Sequence, residues 1–187
     1  MTARARHCMA CGAGLQNIRQ EGHRRRRCPR CGWIFYDNPA PAAVAIIEGP
    51  RGILLARRAA PPFQDTWDLP GGFIEAGELP DRALIRELRE ELGVRAVITS
   101  LHGFSIDHYG PGGIPILAVV YVARLKGTPA ARSDVAEIGW FRRDAIPWRQ
   151  IGFVSITRTL REYLRRPARS RRSTALRAVR GTPGTRP

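Results

Sequence analysis

The middle of the chain alternates between apolar runs and turn signals. Residues 42–48 and 53–58 are apolar runs on either side of the turn sequence GPRG, and this pattern predicts a β-hairpin. Further runs with strand character follow at 96–106, 115–125 and 137–141. Because strand-like and helical segments are mixed along one continuous region, we expect a single α/β domain.

Two other segments show a helical period. The first has a proline in its opening turn and a glycine at its end, so a helix is predicted to begin within residues 79–81 and to stop at Gly93. The second helical segment covers residues 153–166. At about 100° per residue, the apolar side chains of each segment gather near one face. These side chains are Leu84, Leu88 and Leu92 in the first helix and Val154, Ile156, Leu160, Tyr163 and Leu164 in the second.

The four cysteines form two close pairs near the start of the chain. Their spacing is C-x2-C-x16-C-x2-C, and two such pairs can surround a tetrahedral zinc ion with four thiolates. The alternative, two disulfides, is typical of secreted chains, and the first residues lack the apolar stretch of about seven residues that an export signal needs. A shell filled by cysteines leaves no position for substrate, so we expect a structural zinc held by Cys8, Cys11, Cys28 and Cys31.

Positive charge is concentrated at the two ends of the chain, whose net charge is +15. Residues 1–36 hold eight arginines and one acid, and residues 167–187 hold six arginines and no acid. Solvated basic ends attract any polyanion weakly, so this charge alone does not indicate a nucleic-acid protein. We expect a zinc ribbon at 1–38, an α/β domain at 39–166 and a disordered basic tail at 167–187.

The longest apolar run, ILAVVYVA at 116–123, is far shorter than the roughly 18 residues that a membrane span requires. We therefore expect no membrane segment. Because no export signal is visible, the cytoplasm is the expected compartment.

The first predicted helix carries three neighbouring carboxylates, Glu87, Glu90 and Glu91, beside its leucine stripe. Like charges one turn apart destabilise a helix, so a compensating cation is expected. Arg86 can pair with Glu90, and carboxylate oxygens favour hard ions, Mg²⁺ first and Mn²⁺ as a substitute. The alternative is a solvated helix face on which arginines and glutamates pair.

The acidic segment resembles the signature of the Nudix hydrolase family. The similarity extends to the four cysteines, to WDLPGGF and to SDVAEIGWF, and it covers roughly residues 7 to 164. It implies a Nudix-type α/β/α sandwich with a mixed sheet, preceded by a small zinc ribbon. The matched signature positions are Gly72, Glu78, Arg86, Glu87, Leu88, Glu90, Glu91, Gly93 and Val94.

This resemblance also implies a reaction and a set of roles. Nudix enzymes use water and a divalent metal to cleave the diphosphate linkage of a nucleoside diphosphate joined to another group. By matched position, the metal ligands are Glu87, Glu90, Glu91 and the Gly72 carbonyl. Arg86 would orient these carboxylates and Glu78 would support them. The general base comes from a later loop, where Asp134 and Glu137 are candidates and Glu137 is our choice.

Outside the signature, Arg57 and Arg58 can contact substrate phosphates, although one of two adjacent strand residues must face away. His108 and Tyr109 lie in a glycine- and proline-rich loop that can border a nucleoside pocket. The alternatives are surface charges for the arginines and an exposed loop histidine. For Trp67 and Phe73, which flank the Pro-Gly-Gly turn, we expect a packing role.

For the substrate, we expect ADP-ribose first, then FAD or NADH. The Gln-Pro-Trp-Pro-Phe-Pro type of sequence found in NADH pyrophosphatases is missing after Val94, whereas Pro111 stands close to a position typical of ADP-ribose enzymes. The rival function is a nucleotide-sensing or nucleic-acid-binding module that uses the ribbon and the basic ends. The expected partner is a small nucleotide, and a homodimer is possible.

Overall fold

The computed structural model describes residues 5–110 and 113–166. The chain divides into two compact units, the first ending at Pro39 and the second beginning at Ala40. The predicted disordered tail, residues 167–187, lies outside the described residues, so its structure stays a prediction.

The first unit is a small antiparallel sheet of three strands: β1 (Gln16–Gln20), β2 (His23–Arg27) and β3 (Ile34–Phe35), in the order β1-β2-β3. The sequence pattern did not predict β1, because QNIRQ has one apolar side chain and no alternation. Within residues 5–39 only Cys8 and Cys28 are buried. This unit therefore has no apolar core of its own.

The second unit is built on one mixed sheet of seven strands. The strands are β4 (Ala40–Gly49), β5 (Gly52–Arg58), β6 (Trp67–Asp68), β7 (Gly71–Phe73), β8 (Arg95–His108), β9 (Pro115–Lys126) and β10 (Val135–Phe141). Their main order is β10-β5-β4-β9-β8, with β6 paired to β5 and β7 paired to β4. The β4–β9 pair is parallel and the other pairs are antiparallel.

A helix covers each face of this sheet, because the central strands send alternate side chains to opposite sides. Helix α1 (Pro80–Leu92) packs its leucines with Ala45 and Ile47 of β4. Helix α2 (Val154–Arg165) packs on the other face, in a cluster that contains Ile46 of the same strand. The predicted α/β/α sandwich with a mixed sheet is confirmed.

The sequence located the main elements well. The predicted hairpin is present, since Ile47 pairs with Leu54 and Gly49 with Gly52 across the turn. Helix α1 starts with a proline in its first turn and ends at Gly93, whose φ of 67° is a left-handed conformation that glycine adopts without strain.

The prediction for Val154 was wrong. This side chain is 70% exposed, whereas Ile156, Leu160, Tyr163 and Leu164 are buried. At 100° per residue, Val154 lies roughly 135° from the centre of the face that these four residues form. An apolar residue at the first position of a helix is therefore not evidence that it joins the core.

The segment WDLPGGF is more regular than the turn that its composition predicts. Trp67 and Asp68 pair with β5, while Gly71 to Phe73 pair with Ala42 to Val44 of β4. These short strands fix the backbone that faces helix α1. Among the described residues, no helix has the length and apolar character needed to cross a membrane.

Candidate active site

A cavity of about 250 Å³ opens on the second unit, between the sheet and the start of α2. Its lining includes Glu87 and Glu91 of α1 and the Gly71–Gly72 backbone. It also includes aromatic, charged and polar side chains that lie on or next to β5, β6, β8 and α2. These are Arg58, Asp68, Asp107, Tyr109, Phe153 and Ser155.

Glu91 is the most buried carboxylate of the acidic helix, with 7% of its surface exposed. The Gly71 N–H donates a hydrogen bond to its Oε2 at 2.9 Å. Burial raises the pKa of Glu91 to about 9, because a carboxylate loses favourable hydration inside the protein. Within the described residues no arginine or lysine forms an ion pair with Glu91. Its negative charge therefore needs a cation from elsewhere.

Arg86 connects most of the remaining acidic side chains. Its Nε and Nη2 donate to the two oxygens of Glu78 at 3.1 and 2.9 Å, a bidentate pair. Its Nη1 donates to Glu87 at 2.7 Å and reaches Glu90 at 3.3 Å. Its Nη2 also donates to the Phe73 carbonyl at 3.1 Å. Arg86 thus fixes carboxylates of the helix and of the preceding loop relative to β7.

The hydrogen bonds of Arg86 change the pKa values of the side chains that they join. Hydrogen bonds from Arg86 lower the pKa of Glu78, and hydrogen bonds to Glu78 and Glu87 raise the pKa of Arg86. Burial raises the pKa of Glu87 despite its contact with Arg86. Of the three neighbouring helix carboxylates, Glu87 and Glu91 line the cavity, and burial disfavours the charged form of both.

The structure does not gather the three helix carboxylates into one cluster. Glu90 is half exposed and lies outside the cavity lining, while Glu87 and Glu91 are inside it. In the part of the chain that the structure describes, only the four cysteines form a group of three or more ligands within 4.8 Å of one another. The helix places the carboxylates on one side, but Arg86 holds Glu87 and Glu90 whereas the Gly71 N–H holds Glu91.

Gly72 is packed directly against this acidic side. A Cβ atom at Gly72 would lie 2.5 Å from the carboxyl carbon of Glu87, which is too close for any real contact. A larger residue would push the Glu87 carboxylate out of place. Glycine at this position therefore lets the β7 backbone lie next to the Glu87 carboxylate.

The two candidates for the general base lie in different places. Asp134 lines the cavity and raises the pKa values of Glu87 and Glu91 through charge repulsion, a smaller effect than their burial. Glu137 lies on β10, is 55% exposed and pairs with Arg57 at 3.3 Å. It does not line the cavity.

The adjacent arginines Arg57 and Arg58 differ in exposure, but both line the cavity. Arg58 is 17% exposed and its Nη1 lies 3.4 Å from Asp68, while its Nη2 donates to the Tyr109 hydroxyl at 3.1 Å. Arg57 is 41% exposed and contacts Glu137 at the cavity margin. The Arg58 guanidinium also lies 5.6 Å from the ring centroids of Tyr109 and Phe153. Arg58 and Tyr109, both predicted to bind substrate, are thus brought together.

Asp68 and Asp107 were not singled out by the sequence. Burial raises the pKa of Asp68 to about 6, although Arg58 opposes the shift. Burial also disfavours the charge of Asp107, but backbone N–H groups of Ser155 at 2.9 Å and His108 at 2.8 Å outweigh it and lower its pKa. The sequence around these two aspartates does not predict their shifted pKa values, because the groups that contact them come from α2 and β5.

The other candidates have simpler surroundings. His108 is exposed and does not line the cavity. Trp67 is buried and packs edge-on against Phe141, so its predicted packing role is confirmed. Phe73 packs edge-on against Tyr109 and also lines the cavity. Pro111 lies outside the described residues.

The four cysteines of the first unit converge in space. Their sulfur atoms lie within 4.8 Å of one another, with 3.5 Å between Cys8 and Cys31 and between Cys11 and Cys28. None forms a disulfide. Tetrahedral zinc with Zn–S bonds of about 2.3 Å separates its sulfur ligands by about 3.8 Å, so the cluster suits a metal ion of this kind.

Comparisons with known proteins agree with this geometry. The family model described as NUDIX domain matches residues 38–160, so the chain belongs to the NUDIX family. A structural relative, a NUDIX hydrolase from Nitrosomonas europaea, has a TM-score of 0.72 and 29% sequence identity. That similarity covers 86% of this chain and 90% of the other.

Two curated relatives carry more specific names. The ADP-ribose pyrophosphatase of Methanocaldococcus jannaschii is 36% identical over 114 residues, which is 60% of this chain and 68% of that protein. The NAD-capped RNA hydrolase NudC of Pseudomonas aeruginosa is 28% identical over 150 residues, 76% of this chain. The match spans about half of that hydrolase, 51% of its length.

Proposed function

We propose that this protein is a metal-dependent hydrolase that cleaves the diphosphate linkage of a nucleoside diphosphate derivative, with ADP-ribose as its first substrate. The observation that carries the proposal is the pairing of a buried carboxylate, Glu91, with Glu87 in the lining of a cavity. The same cavity is also lined by aromatic rings and an arginine. Such a cavity suits a ligand that has an anionic centre and a nucleoside end. One curated relative is named an ADP-ribose pyrophosphatase, which supports placing ADP-ribose ahead of FAD and NADH as the substrate.

The carboxylates suit a hard divalent ion, Mg²⁺ or Mn²⁺. Glu91 is a buried acid without a cationic partner among the described residues, and oxygen atoms are the donors that such ions prefer. Glu87, Glu91 and the Gly72 carbonyl would hold the ion, and Glu90, which pairs with Arg86 outside the cavity lining, would have to turn toward the ion to join them. When bound, the ion neutralises diphosphate charge and lowers the pKa of a coordinated water.

The chain's own groups supply positioning and proton transfer. Arg86 holds Glu87 through its 2.7 Å hydrogen bond and anchors this arrangement to Glu78 and the Phe73 carbonyl. We assign the general base to Asp134 in place of Glu137, because Asp134 lines the cavity with Glu87 and Glu91. An ionised Asp134 can accept the proton of the attacking water when that water lies within hydrogen-bond reach.

The aromatic side chains of the cavity lining would contact the nucleoside. Arg58 can contact a phosphate or ribose oxygen, since its guanidinium lies beside the rings of Tyr109 and Phe153 in the cavity lining. The Tyr109 hydroxyl accepts from Arg58, which leaves its own proton available for a substrate oxygen. Arg57 lines the margin of the cavity and would contribute mainly charge.

The first unit would hold a structural zinc ion through Cys8, Cys11, Cys28 and Cys31, with no part in the reaction. A cytoplasmic location and a homodimer stay predictions.

The proposal is tested by incubating the full chain with Mg²⁺ and a panel of ADP-ribose, FAD, NADH, NAD⁺ and nucleoside triphosphates, and separating the products by chromatography. We expect AMP from ADP-ribose at the highest rate and no turnover when Mg²⁺ is left out. Absence of turnover on every member of the panel would contradict the proposal.

A matched pair of variants tests the base assignment. Asp134→Asn should lower the rate on ADP-ribose by about 100-fold or more, within the range that a positioned base contributes. Glu137→Gln should leave the rate within about threefold, because Glu137 lies outside the cavity lining. The reverse order of effects would restore Glu137 as the base.

A second candidate substrate is RNA that carries a dinucleotide cap. The specific observation is that Arg19 and Arg24 stand directly opposite each other on β1 and β2, where like charges repel. Neither has an ion pair within residues 5–110 and 113–166. An RNA backbone would neutralise both, and one curated relative is named an NAD-capped RNA hydrolase.

Neutralising this pair tests the capped substrate. Arg19→Gln/Arg24→Gln should slow hydrolysis of NAD-capped RNA and leave hydrolysis of free NAD⁺ unchanged. Equal rates on capped RNA for the variant and the wild-type protein would discard this candidate.

A further inference from the structure

The second unit carries another concave site beside α2. It is an open depression of about 440 Å³ between α2 and the short 3-10 turn Trp148–Gln150. None of its lining residues lines the catalytic cavity. We call it the arginine–tryptophan site, and its lining is Arg143, Asp144, Trp148, Arg161, Leu164 and Arg165.

The arginines of this site carry uncompensated charge. The two neighbouring acids are already engaged, since Asp144 pairs with Arg142 at 3.2 Å and Glu162 pairs with Arg166 at 2.8 Å. Among the residues that the structure describes, no ion pair involves the three lining arginines. These three are Arg143, Arg161 and Arg165.

Two of these arginines also repel each other within α2. Arg161 and Arg165 are four residues apart on α2, where like charges repel across one helical turn. Arg165 gains some compensation because it lies in the last turn, at the negative end of the helix dipole, but Arg161 lies a full turn earlier. A bound anion would relieve the repulsion between them.

Trp148 adds an aromatic surface to this positive site. Its ring packs against the core cluster that contains Phe153 and Leu160, so its position is fixed, and the residue remains only partly buried. The Arg161 guanidinium lies 5.2 Å from the ring centroid. A nucleobase that stacks on this indole would replace the Arg161 guanidinium over the ring, and the displaced guanidinium could then pair with the phosphate of the nucleotide.

We propose that the arginine–tryptophan site binds a phosphate-bearing nucleotide, with the base against Trp148 and the phosphate among Arg143, Arg161 and Arg165. The nucleotide is either a free mononucleotide or one unit of a single-stranded polynucleotide, because both present the same base and phosphate. The site is separate from the diphosphate cavity, so it does not depend on the proposed reaction.

Binding of a fluorescein-labelled oligoadenylate, about 12 nucleotides long, tests this site in the full chain. This probe has no diphosphate linkage to cleave. Fluorescence anisotropy over a series of salt concentrations gives both the affinity and its salt dependence. We expect Arg161→Gln/Arg165→Gln to weaken binding about tenfold or more and to reduce the slope of log affinity against log salt by about 1.4, the value for two lost phosphate contacts.

A control with the same change in charge separates this site from general attraction. Arg95→Gln/Arg124→Gln removes two exposed arginines from β8 and β9, and it should change affinity by less than about twofold. Trp148→Leu should weaken binding without changing the salt slope, because stacking releases no counterions. Circular dichroism verifies that each variant is folded.

Competition by 5′-AMP distinguishes the two sources of the nucleotide. Displacement of the labelled oligonucleotide by AMP indicates a mononucleotide site, whereas binding that AMP does not displace indicates a unit within a chain. Equal losses of affinity in the two double-arginine variants would overturn the proposal. So would a wild-type protein that binds neither the oligoadenylate nor AMP.

Discussion

Each of the two units of this chain is stabilised internally in a different way. The first unit has three short strands, and within residues 5–39 its only buried side chains are two of the four clustered cysteines. The second unit has two apolar clusters, one on each face of a seven-stranded sheet. A unit of so few residues cannot bury enough apolar surface to be stable by packing alone. The stability of the first unit therefore depends on its cysteine cluster, and that of the second unit depends on packing.

The two sites that the sequence predicted, the cysteine site and the acidic site, differ in a similar way. The cysteine site is defined by side chains from two tight turns, and its four sulfur atoms already converge. The acidic site depends on how α1 packs against β7, and its carboxylates are divided between Arg86 and Gly71. A local spacing can therefore predict that the four sulfur atoms converge, whereas the arrangement of the acidic site requires the tertiary fold.

The largest expected effect tests the metal dependence of the first unit. Cys28→Ser should unfold this unit, because a structural zinc contributes on the order of 10 kcal/mol to the folding of a small ribbon. Hydrogen exchange should show loss of protection in β1 and β2 and unchanged protection in the second unit. Met9→Ser, at a position 84% exposed between two of the cysteines, is the control and should leave exchange unchanged. Retained protection in Cys28→Ser would show that the ribbon folds without its full cysteine set.

The next effect belongs to the core of the second unit. Leu88→Ala removes a fully buried side chain from the α1 cluster and should lower the free energy of unfolding by about 4 kcal/mol, through lost burial and a cavity. Leu79→Ala, at a position 62% exposed, should change it by less than about 0.5 kcal/mol. Urea unfolding of the two variants measures this difference, and similar values would contradict the assigned packing.

A smaller, pH-dependent effect comes from Asp68, whose pKa rises from 3.8 to about 6 on folding. The folded protein keeps this proton at pH values where the unfolded chain has lost it. The associated stability is complete below pH 3.8 and is lost as pH rises through about 6, a change of about 3 kcal/mol.

Asp68→Asn lacks this titration, so the wild-type protein should lose stability relative to the variant between about pH 4 and pH 7. Unfolding in urea at a series of pH values measures the difference. Asp144→Asn is the contrasting control, because contact with Arg142 lowers the pKa of the exposed Asp144. A difference between wild type and Asp68→Asn that stays constant with pH would contradict the assigned burial of this carboxylate.

The sequence predicted the fold class, the hairpin and the bounds of α1, because apolar periodicity and the proline and glycine signals act locally. It also predicted that Arg86 can pair with Glu90. It did not reveal that Glu91 would be buried and Glu90 half exposed, since neighbouring positions on a helix differ only through what packs beside them. Asp68 was missed for the same reason. Its surroundings come from β5 and β8, which are distant in sequence.

The central claim is that the carboxylates in the cavity lining carry out hydrolysis, and the most direct test is AMP release from ADP-ribose in Mg²⁺. Glu91→Gln should lower this rate by about 100-fold or more, equivalent to about 2.7 kcal/mol of transition-state stabilisation. Glu162→Gln makes the same substitution at an exposed ion pair on α2 and should keep the wild-type rate. Equal rates for the two variants would contradict the assignment of this site.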